Sequence, residues 1–421
     1  MRIMLAGISS GCGKTTASLA LMAALREKDL VVAPFKSGPD YIDPGFHRAA
    51  CGRVSHNLDE WLCSREAVNR ILALGSRGAD FAVIEGAMGM YDGLNSGSAC
   101  SAYSLAKHTG TPVILVVDAS GSAASAAATA LGFLKYREDS GIAGAFVNRA
   151  SSQRHYELVR EALAGVGLPC VGWMPRDREL HMPDRHLGLV PVEERPDVRG
   201  QIDRASGLIQ LDLEALRQVA AQARPAAIEP FQFPPLFAGR RIALAKDAAF
   251  TFTYEANLIA LREMGAELIA FSPLTDAALP EPVDALYLPG GFPEVFEAQL
   301  RANAPMVQSV KSAIESGLRV YAECGGMLYL SMIEAIPLSW RMTDRLQRFG
   351  YVTVTDADGT SFPAHEFHHS VVAPTAPLET RFQVEKRGNR YREGYIYRNV
   401  LAGYPHIHFF ERPELAERLF L

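Results

Sequence analysis

The sequence has no uninterrupted apolar run of about 18 residues, which argues against a transmembrane helix. It has no polybasic block and a formal net charge of -5, which argues against nucleic acid and anionic membrane surfaces as partners. Its start, MRIMLAGISS, lacks the long apolar core and small-residue cleavage site of a signal peptide and reads as a strand entering a glycine loop. The six cysteines (Cys12, Cys51, Cys63, Cys100, Cys170, Cys324) are scattered, with no C-x-x-C pair. Free thiols in a cytoplasmic protein fit this better than a disulfide framework or a zinc site. At 421 residues the chain exceeds one ordinary core, and two domains are expected.

What is present begins with a phosphate cradle. Arg2 to Ala6 reads as a strand, Gly7-Ile-Ser-Ser-Gly-Cys-Gly-Lys-Thr-Thr16 as a glycine loop, and Ala17 to Arg26 as a helix. Backbone N–H groups around Gly11 and Gly13, with the helix start at Thr16, suit phosphate oxygens. Lys14 would reach the outer phosphates and the Thr15 hydroxyl would face Mg2+. The first glycine of the usual G-x-x-x-x-G-K-T spacing sits one residue early, and Ile8 takes its place. The compact loop resembles the variant of the dethiobiotin synthetase and ParA-like group.

Val31 to Phe35 is a second strand, leading into Lys36-Ser-Gly-Pro-Asp-Tyr-Ile-Asp-Pro44. A lysine (Lys36), two acids (Asp40, Asp43) and Tyr41 on a Pro/Gly-shaped loop suit Mg2+ and substrate contacts, or else form a solvated turn. Phe81 to Ile84 is a third strand, followed by Glu85 in the Mg2+ position and by Asp92 further along the same loop. Val113 to Asp118, Ile142 to Asn148 and Pro169 to Trp173 are further strands, and Ser151 to Leu163 reads as a helix. This alternation predicts a doubly wound, mostly parallel α/β sheet. Asn148 is either an adenine-recognition position or a strand-terminating asparagine. His186 reads as a capping or packing residue.

The domain expectation is 1–195 for the ATP-binding half, 196–238 for a proline-rich linker with one helix (Gln201 to Ala223), and 239–421 for the second half. In that second half, the strand Arg241 to Ala245 and the helix Glu255 to Met264 restart the alternation. Leu318 to Ala322 is an apolar strand, Cys324 follows it closely, and Gly325-Gly326 open a helix-like segment. That is a nucleophile elbow, with Gly325 N–H as an oxyanion donor and a helix start that favours thiolate. The turn Pro289-Gly290-Gly291, one strand earlier, adds candidate oxyanion N–H groups from Gly290 and Gly291. His406 in Gly403-Tyr-Pro-His-Ile-His-Phe409 is the partner a thiol nucleophile needs, with His408 as its neighbour. His365-Glu-Phe-His-His369 matches H-E-x-x-H by letter, but Pro363 before it and Ser-Val-Val-Ala-Pro374 after it read as strand. Strand geometry sets residues four apart about 13 Å from each other, too far for one metal.

In combination these motifs resemble the cobyrinic acid a,c-diamide synthase family, glutamine-dependent amidotransferases that amidate two side-chain carboxylates of a corrin precursor. The resemblance rests on SSGCGKTT, PFKSGPDYIDP, NLDEWL, IEGAMGMYDG, Asn148-Arg149, PDRHLGLV, AFTFTYEANL, LPGGFPE, AECGGMLYL, HEFHHS and AGYPHIHF. It implies a P-loop domain followed by a class I glutamine amidotransferase-like α/β domain. Lys14, Thr15, Asp40 and Glu85 would then handle ATP and Mg2+. Asp43 and Asp92 would sit near the reacting carboxylate, Asn148 near adenine, and Cys324 with His406 would cleave glutamine. The implied partners are small molecules (a tetrapyrrole polycarboxylate, glutamine and ATP), and a homodimer is left open.

Two departures from the family pattern stand out. The acid usually found two residues after the histidine is replaced by His408, so the site reads as a dyad, and Leu330 to Phe349 is short. The implied reaction is amidation through an acyl phosphate. Hydrogenobyrinic acid, Ni-sirohydrochlorin and sirohaem are alternative rings. A ParA-like ATP switch with a non-catalytic second domain is an alternative of another class.

Overall fold

The computed structural model describes all residues except 181, 183, 186, 187 and 226–230, so His186 lies outside the described residues. The chain divides into two compact units, Met1–Glu229 and Pro230–Leu421.

The first unit contains β1 (Arg2–Gly7), β2 (Val32–Ser37), β3 (His56–Leu58), β4 (Phe81–Gly89), β5 (Val113–Asp118), β6 (Ile142–Ala150) and β7 (Cys170–Pro175). A small pair, β8 (Asp184–Arg185) and β9 (Gly188–Leu189), and the short β10 (Gln210–Leu211) complete its strands. Its helices are α1 (Lys14–Arg26), α2 (Asp43–Cys51), α3 (Arg65–Gly75), α4 (Ala102–Thr109), α5 (Ala124–Tyr136), α6 (Gln153–Gly165), α7 (Val198–Leu208) and α8 (Leu213–Ala220). The sheet order is β10-β7-β6-β5-β1-β4-β2-β3. It is parallel except at its edge, where β10 runs antiparallel to β7. The central strand β5, Val-Ile-Leu-Val-Val-Asp, is buried along its apolar run. That suits a strand covered on both faces. The expected single helix over Gln201–Ala223 is corrected. Ile209 is extended and Gln210–Leu211 pair with Trp173 and Gly172, so the segment becomes helix, edge strand and helix. Glu85 and Asn148 lie inside β4 and β6, which run on past the expected ends.

The second unit contains β11 (Arg241–Ala245), β12 (Glu267–Phe271), β13 (Ala285–Leu288), β14 (Arg319–Glu323), β15 (Leu338–Met342), β16 (Arg348–Thr355), β17 (Ser361–His368), β18 (Ser370–Pro374), β19 (Glu379–Lys386), β20 (Asn389–Tyr397), β21 (Val400–Gly403) and β22 (His406–Ile407). Its helices are α9 (Glu255–Glu263), α10 (Glu297–Ala302), α11 (Ala304–Glu315), α12 (Gly325–Met332) and α13 (Pro413–Phe420). The ten-stranded sheet runs β12-β11-β13-β14-β21-β20-β19-β16-β17-β22. It is parallel from β12 to β21 and antiparallel beyond. Every residue of α12 is buried, as expected of a helix apolar on all sides. Burying side chains such as Met327, Leu328 and Leu330 contributes about 1.5–3 kcal/mol each. The H-E-x-x-H letters fall on β17 and just beyond, paired with β16 and β22, so His365 and His369 share no helix face. No helix among the described residues is long and apolar enough to cross a membrane.

Candidate active sites

In the first unit the loop between β1 and α1 is shaped by two left-handed glycines, Gly11 (φ 77°) and Gly13 (φ 87°). A Cβ on Gly13 would stand 2.1 Å from Asn148 Nδ2, so only glycine lets the loop close onto β6. Lys14 folds back to donate from Nζ to the Ser9 carbonyl at 3.0 Å. Burial holds its ammonium below the usual lysine range. Gly13 caps α1 with no side-chain cap hydrogen bond, which leaves the helix start open to an anion. Thr16 lines a small apolar cleft with Leu19, Phe46 and Ile202.

Glu85 is the hub of this site. Its Oε1 accepts from Thr15 Oγ1 at 2.6 Å and from Lys36 Nζ at 2.8 Å, and its Oε2 lies 2.8 Å from His47 Nε2. His47 Nδ1 is held by Ser55 Oγ at 2.9 Å. Burial pushes the Glu85 carboxyl up, but Lys36 and His47 outweigh it and hold it below the usual carboxylate range. Lys36 also pairs with Asp43 Oδ2 at 2.5 Å. Burial works against the lysine charge, yet Asp43, Glu85 and Asp40 raise it above its ordinary value. Asp43 itself is pushed up to about 8, first by burial and then by Asp40. Asp40 turns the loop by accepting at Oδ1 from the N–H groups of Ile42 (2.8 Å) and Asp43 (3.0 Å). Tyr41, between them, is half-buried. Asp92 is occupied by its own turn, accepting at Oδ2 from Gly89 N–H at 2.9 Å.

Asn148 is 2% exposed and donates from Nδ2 to the Cys12 carbonyl at 2.9 Å, while its Oδ1 accepts from Arg149 N–H. Its amide therefore braces the glycine loop. The oxygens of Thr15, Asp40 and Glu85 form a hard donor set that suits Mg2+. Among the described residues no three His, Cys, Asp or Glu side chains form a metal-ligand group. An ion bound mainly through phosphate oxygens and water needs no such group.

In the second unit Cys324 joins β14 to α12 with φ 45° and ψ -100°, a left-handed backbone for a residue with a side chain. Its N–H donates to the Gly403 carbonyl at 2.7 Å, which clamps the elbow to β21. The neighbouring glycines are required by close approach: a Cβ on Gly326 would lie 2.1 Å from the Leu288 carbonyl oxygen, and one on Gly325 would lie 2.8 Å from Gly291 N. Gly325 and Gly291 thus bring their backbones together at the elbow. Burial and then Glu294 push the Cys324 thiol up, while the Gly325 N–H pulls it down. A buried thiol of this kind needs a base to ionise.

His406 is 1% exposed and packs over Gly290, where an added Cβ would come within 2.6 Å of its Cε1. Asn257 fixes the chain on both sides of His408, donating to the Ile407 carbonyl at 2.8 Å and accepting from Phe409 N–H at 2.9 Å. His408, the residue standing where an acid was expected, is fully buried beside Tyr254. Burial and Arg412 lower its pKa to about 3. A carboxylate does stand beside His406, that of Glu323, with Oε2 at 3.7 Å from Nδ1.

The structure gathers Lys14, Thr15, Lys36, Asp40, Asp43, Glu85 and Asn148 around one loop system, and gathers Cys324, Gly325, Gly290, Gly291 and His406 around another. Sequence reasoning missed His47 and Glu323. His47 carried no spacing signal, whereas Glu323 carried one: it is the acid directly before the elbow cysteine.

Residues 3–190 match the family model for the CobQ/CobB/MinD/ParA nucleotide binding domain, and residues 241–414 match that for the CobB/CobQ-like glutamine amidotransferase domain. A protein of Listeria innocua named cobyrinate a,c-diamide synthase is 39% identical over 100% of this chain and 98% of its own. Proteins of the same name from Caldanaerobacter subterraneus and Priestia megaterium are 38% and 36% identical, each over 99% of this chain and 96% or 95% of their own.

Proposed function

The chain belongs to the cobyrinate a,c-diamide synthase family, and from that premise we propose that it amidates the a and c side-chain carboxylates of cobyrinic acid, using ATP and glutamine. The observation that carries this reading is the pairing, in one chain, of a strained cysteine elbow with a glycine loop beside which Thr15 of α1 and Lys36 of β2 converge on Glu85.

A carboxylate does not exchange its oxygen for ammonia in water, because the leaving group would be oxide. In the first unit a ring carboxylate oxygen attacks the γ-phosphorus of ATP, the bond to ADP breaks, and an acyl phosphate forms. Lys14 and the loop N–H groups bind the phosphoryl oxygens as charge spreads over them. Bound Mg2+ supplies further neutralisation of phosphate charge, and Thr15, Asp40 and Glu85 are the residues that would hold it. Lys36 near the end of β2, Tyr41 in the loop after it and Asp43 at the start of α2 are assigned to the ring carboxylate, with Asp92 beyond the end of β4. Ammonia then attacks the acyl carbon and phosphate leaves.

In the second unit His406 takes the thiol proton of Cys324 while sulfur attacks the glutamine amide carbon. The N–H groups of Gly325, Gly291 and Gly290 hold the oxyanion. The carbon–nitrogen bond breaks, His406 returns the proton to the departing ammonia, and water releases glutamate from the thioester. Two rounds give the diamide. Reliance on ATP and six free thiols support a cytoplasmic setting for the reaction.

The test is a Cys324→Ala variant with cobyrinic acid and ATP. Glutamine-driven synthesis should vanish and ammonium-driven synthesis should persist; loss of both would overturn the division of labour. A parallel panel of hydrogenobyrinic acid, Ni-sirohydrochlorin and sirohaem checks the ring: turnover only on one of these would move the same chemistry to another substrate.

A further inference from the structure

The second unit contains a buried carboxylate for which the two-residue cysteine–histidine description has no use. Glu323 is 3% exposed, is the last residue of β14 and directly precedes Cys324. Its Oε1 accepts from Tyr321 OH at 2.6 Å and from Ile407 N–H at 3.2 Å, and its Oε2 accepts from Tyr287 OH at 3.0 Å. Those three donors are neutral. Among the described residues no lysine or arginine pairs with Glu323, and its one ion-pair neighbour is His406, Nδ1 to Oε2, at 3.7 Å. A carboxylate enclosed this way has its geometry fixed by hydrogen bonds but its charge uncompensated until a cation forms beside it. The cation available is the imidazolium that His406 becomes on taking the Cys324 proton.

We propose that Glu323 is the positioning carboxylate of the glutaminase centre, orienting His406 through Nδ1 and stabilising its protonated form, in place of the acid that His408 displaces. This inference rests on the glutaminase reading above. The 3.7 Å separation is longer than a formed hydrogen bond. Catalytic contacts of this kind commonly tighten only when substrate is bound. Local chain geometry favours the assignment. Ile407 N–H, next to His406, is tied to the same carboxylate, so the histidine backbone and the acid form one unit. The two tyrosines stack on each other with ring centroids 5.6 Å apart, which leaves the carboxylate little freedom to turn away.

Three other titratable groups of β17 lie near enough to His406 to interact with it electrostatically. His365 is its register partner and is buried. His368 lies on the same strand and stacks against Tyr404. Glu366 is the rival acid: its Oε2 is engaged by Tyr391 OH at 2.5 Å and its Oε1 is buried without a hydrogen-bond partner, so it is tested beside Glu323.

The test measures glutamine hydrolysis and ammonium-driven synthesis side by side, across pH, in the full-length enzyme with cobyrinic acid and ATP. Glu323→Gln should lower kcat for glutamine hydrolysis roughly 10²- to 10³-fold with KM nearly unchanged. The acid limb of its pH profile should also move to lower pH, because imidazolium loses its stabilising neighbour. Glu323→Asp, which keeps the charge one methylene further back, should fall between the two, and it serves if the glutamine variant does not fold. A normal kcat and an unmoved acid limb in Glu323→Gln would overturn the proposal. So would the same shift arising from Glu366→Gln alone. Failure of the underlying reading is separately visible, since Cys324→Ala would then retain glutamine-driven synthesis.

Discussion

Lys36 and Asp43 form an ion pair, Nζ to Oδ2 at 2.5 Å, with at most a tenth of either side chain open to water. The lysine also serves Glu85, so one cation stands between two buried carboxylates. Removing it should be costly and pH-dependent.

Lys36→Met is expected to destabilise the first unit by about 3–5 kcal/mol near pH 8, the range for stripping one partner from a buried pair. The sign follows from linkage. Asp43 is already raised to about 8 with the lysine present, and it rises further without it. A carboxyl whose native pKa lies above its unfolded value opposes folding at high pH, and that opposition fades as pH falls toward the unfolded value near 4. Calorimetry at pH 8 and pH 5 should therefore show a deficit that shrinks at the lower pH. An equal deficit at both would refute this account of the pair.

Asn148 offers a test of what its amide recognises. Because Nδ2 is engaged by the Cys12 carbonyl, Asn148→Ala should weaken ATP and GTP binding alike, by roughly five-fold for one lost hydrogen bond of about 1 kcal/mol. Isothermal titration with both nucleotides decides it. Weakened ATP binding with GTP binding unchanged would show instead that the amide reads adenine.

Two glycines make opposite predictions. Gly326→Ala would drive a Cβ to 2.1 Å from the backbone oxygen of Leu288, and the expected result is a second unit that does not fold stably. Gly132, inside α5, has nothing within 4 Å of an added Cβ. Gly132→Ala should raise stability by about 0.5–1 kcal/mol. Thermal unfolding of both variants measures the contrast, and a harmless Gly326→Ala would mean that the elbow tolerates displacement of the helix.

Features that depend on neighbours along the chain were legible in the sequence. The glycine loop, the strand before Glu85 and the Cys324 elbow are each a short run whose residue types dictate a turn and its chemistry. Long-range pairing hid the rest. Gln210–Leu211 carries helix-compatible letters and becomes strand because β7 has an open edge. His47 reaches Glu85 only because α2 packs beside the sheet. Glu323 meets His406 only because β14 pairs with β21 and the chain then turns into β22. Of the antiparallel strands β16 to β20, only the stretch around His365–His369 reads as strand in the sequence.

The left-handed backbone at Cys324 sets this residue against its own fold. Glycine is the amino acid that this backbone position favours, and a Cys324→Gly chain would relieve the strain while losing the sulfur. Selection for thermal resistance alone would drift toward that inert glycine. The cysteine persists only where turnover of glutamine is what is being selected, so heat-hardening this enzyme by directed evolution without an activity screen would tend to erase the nucleophile.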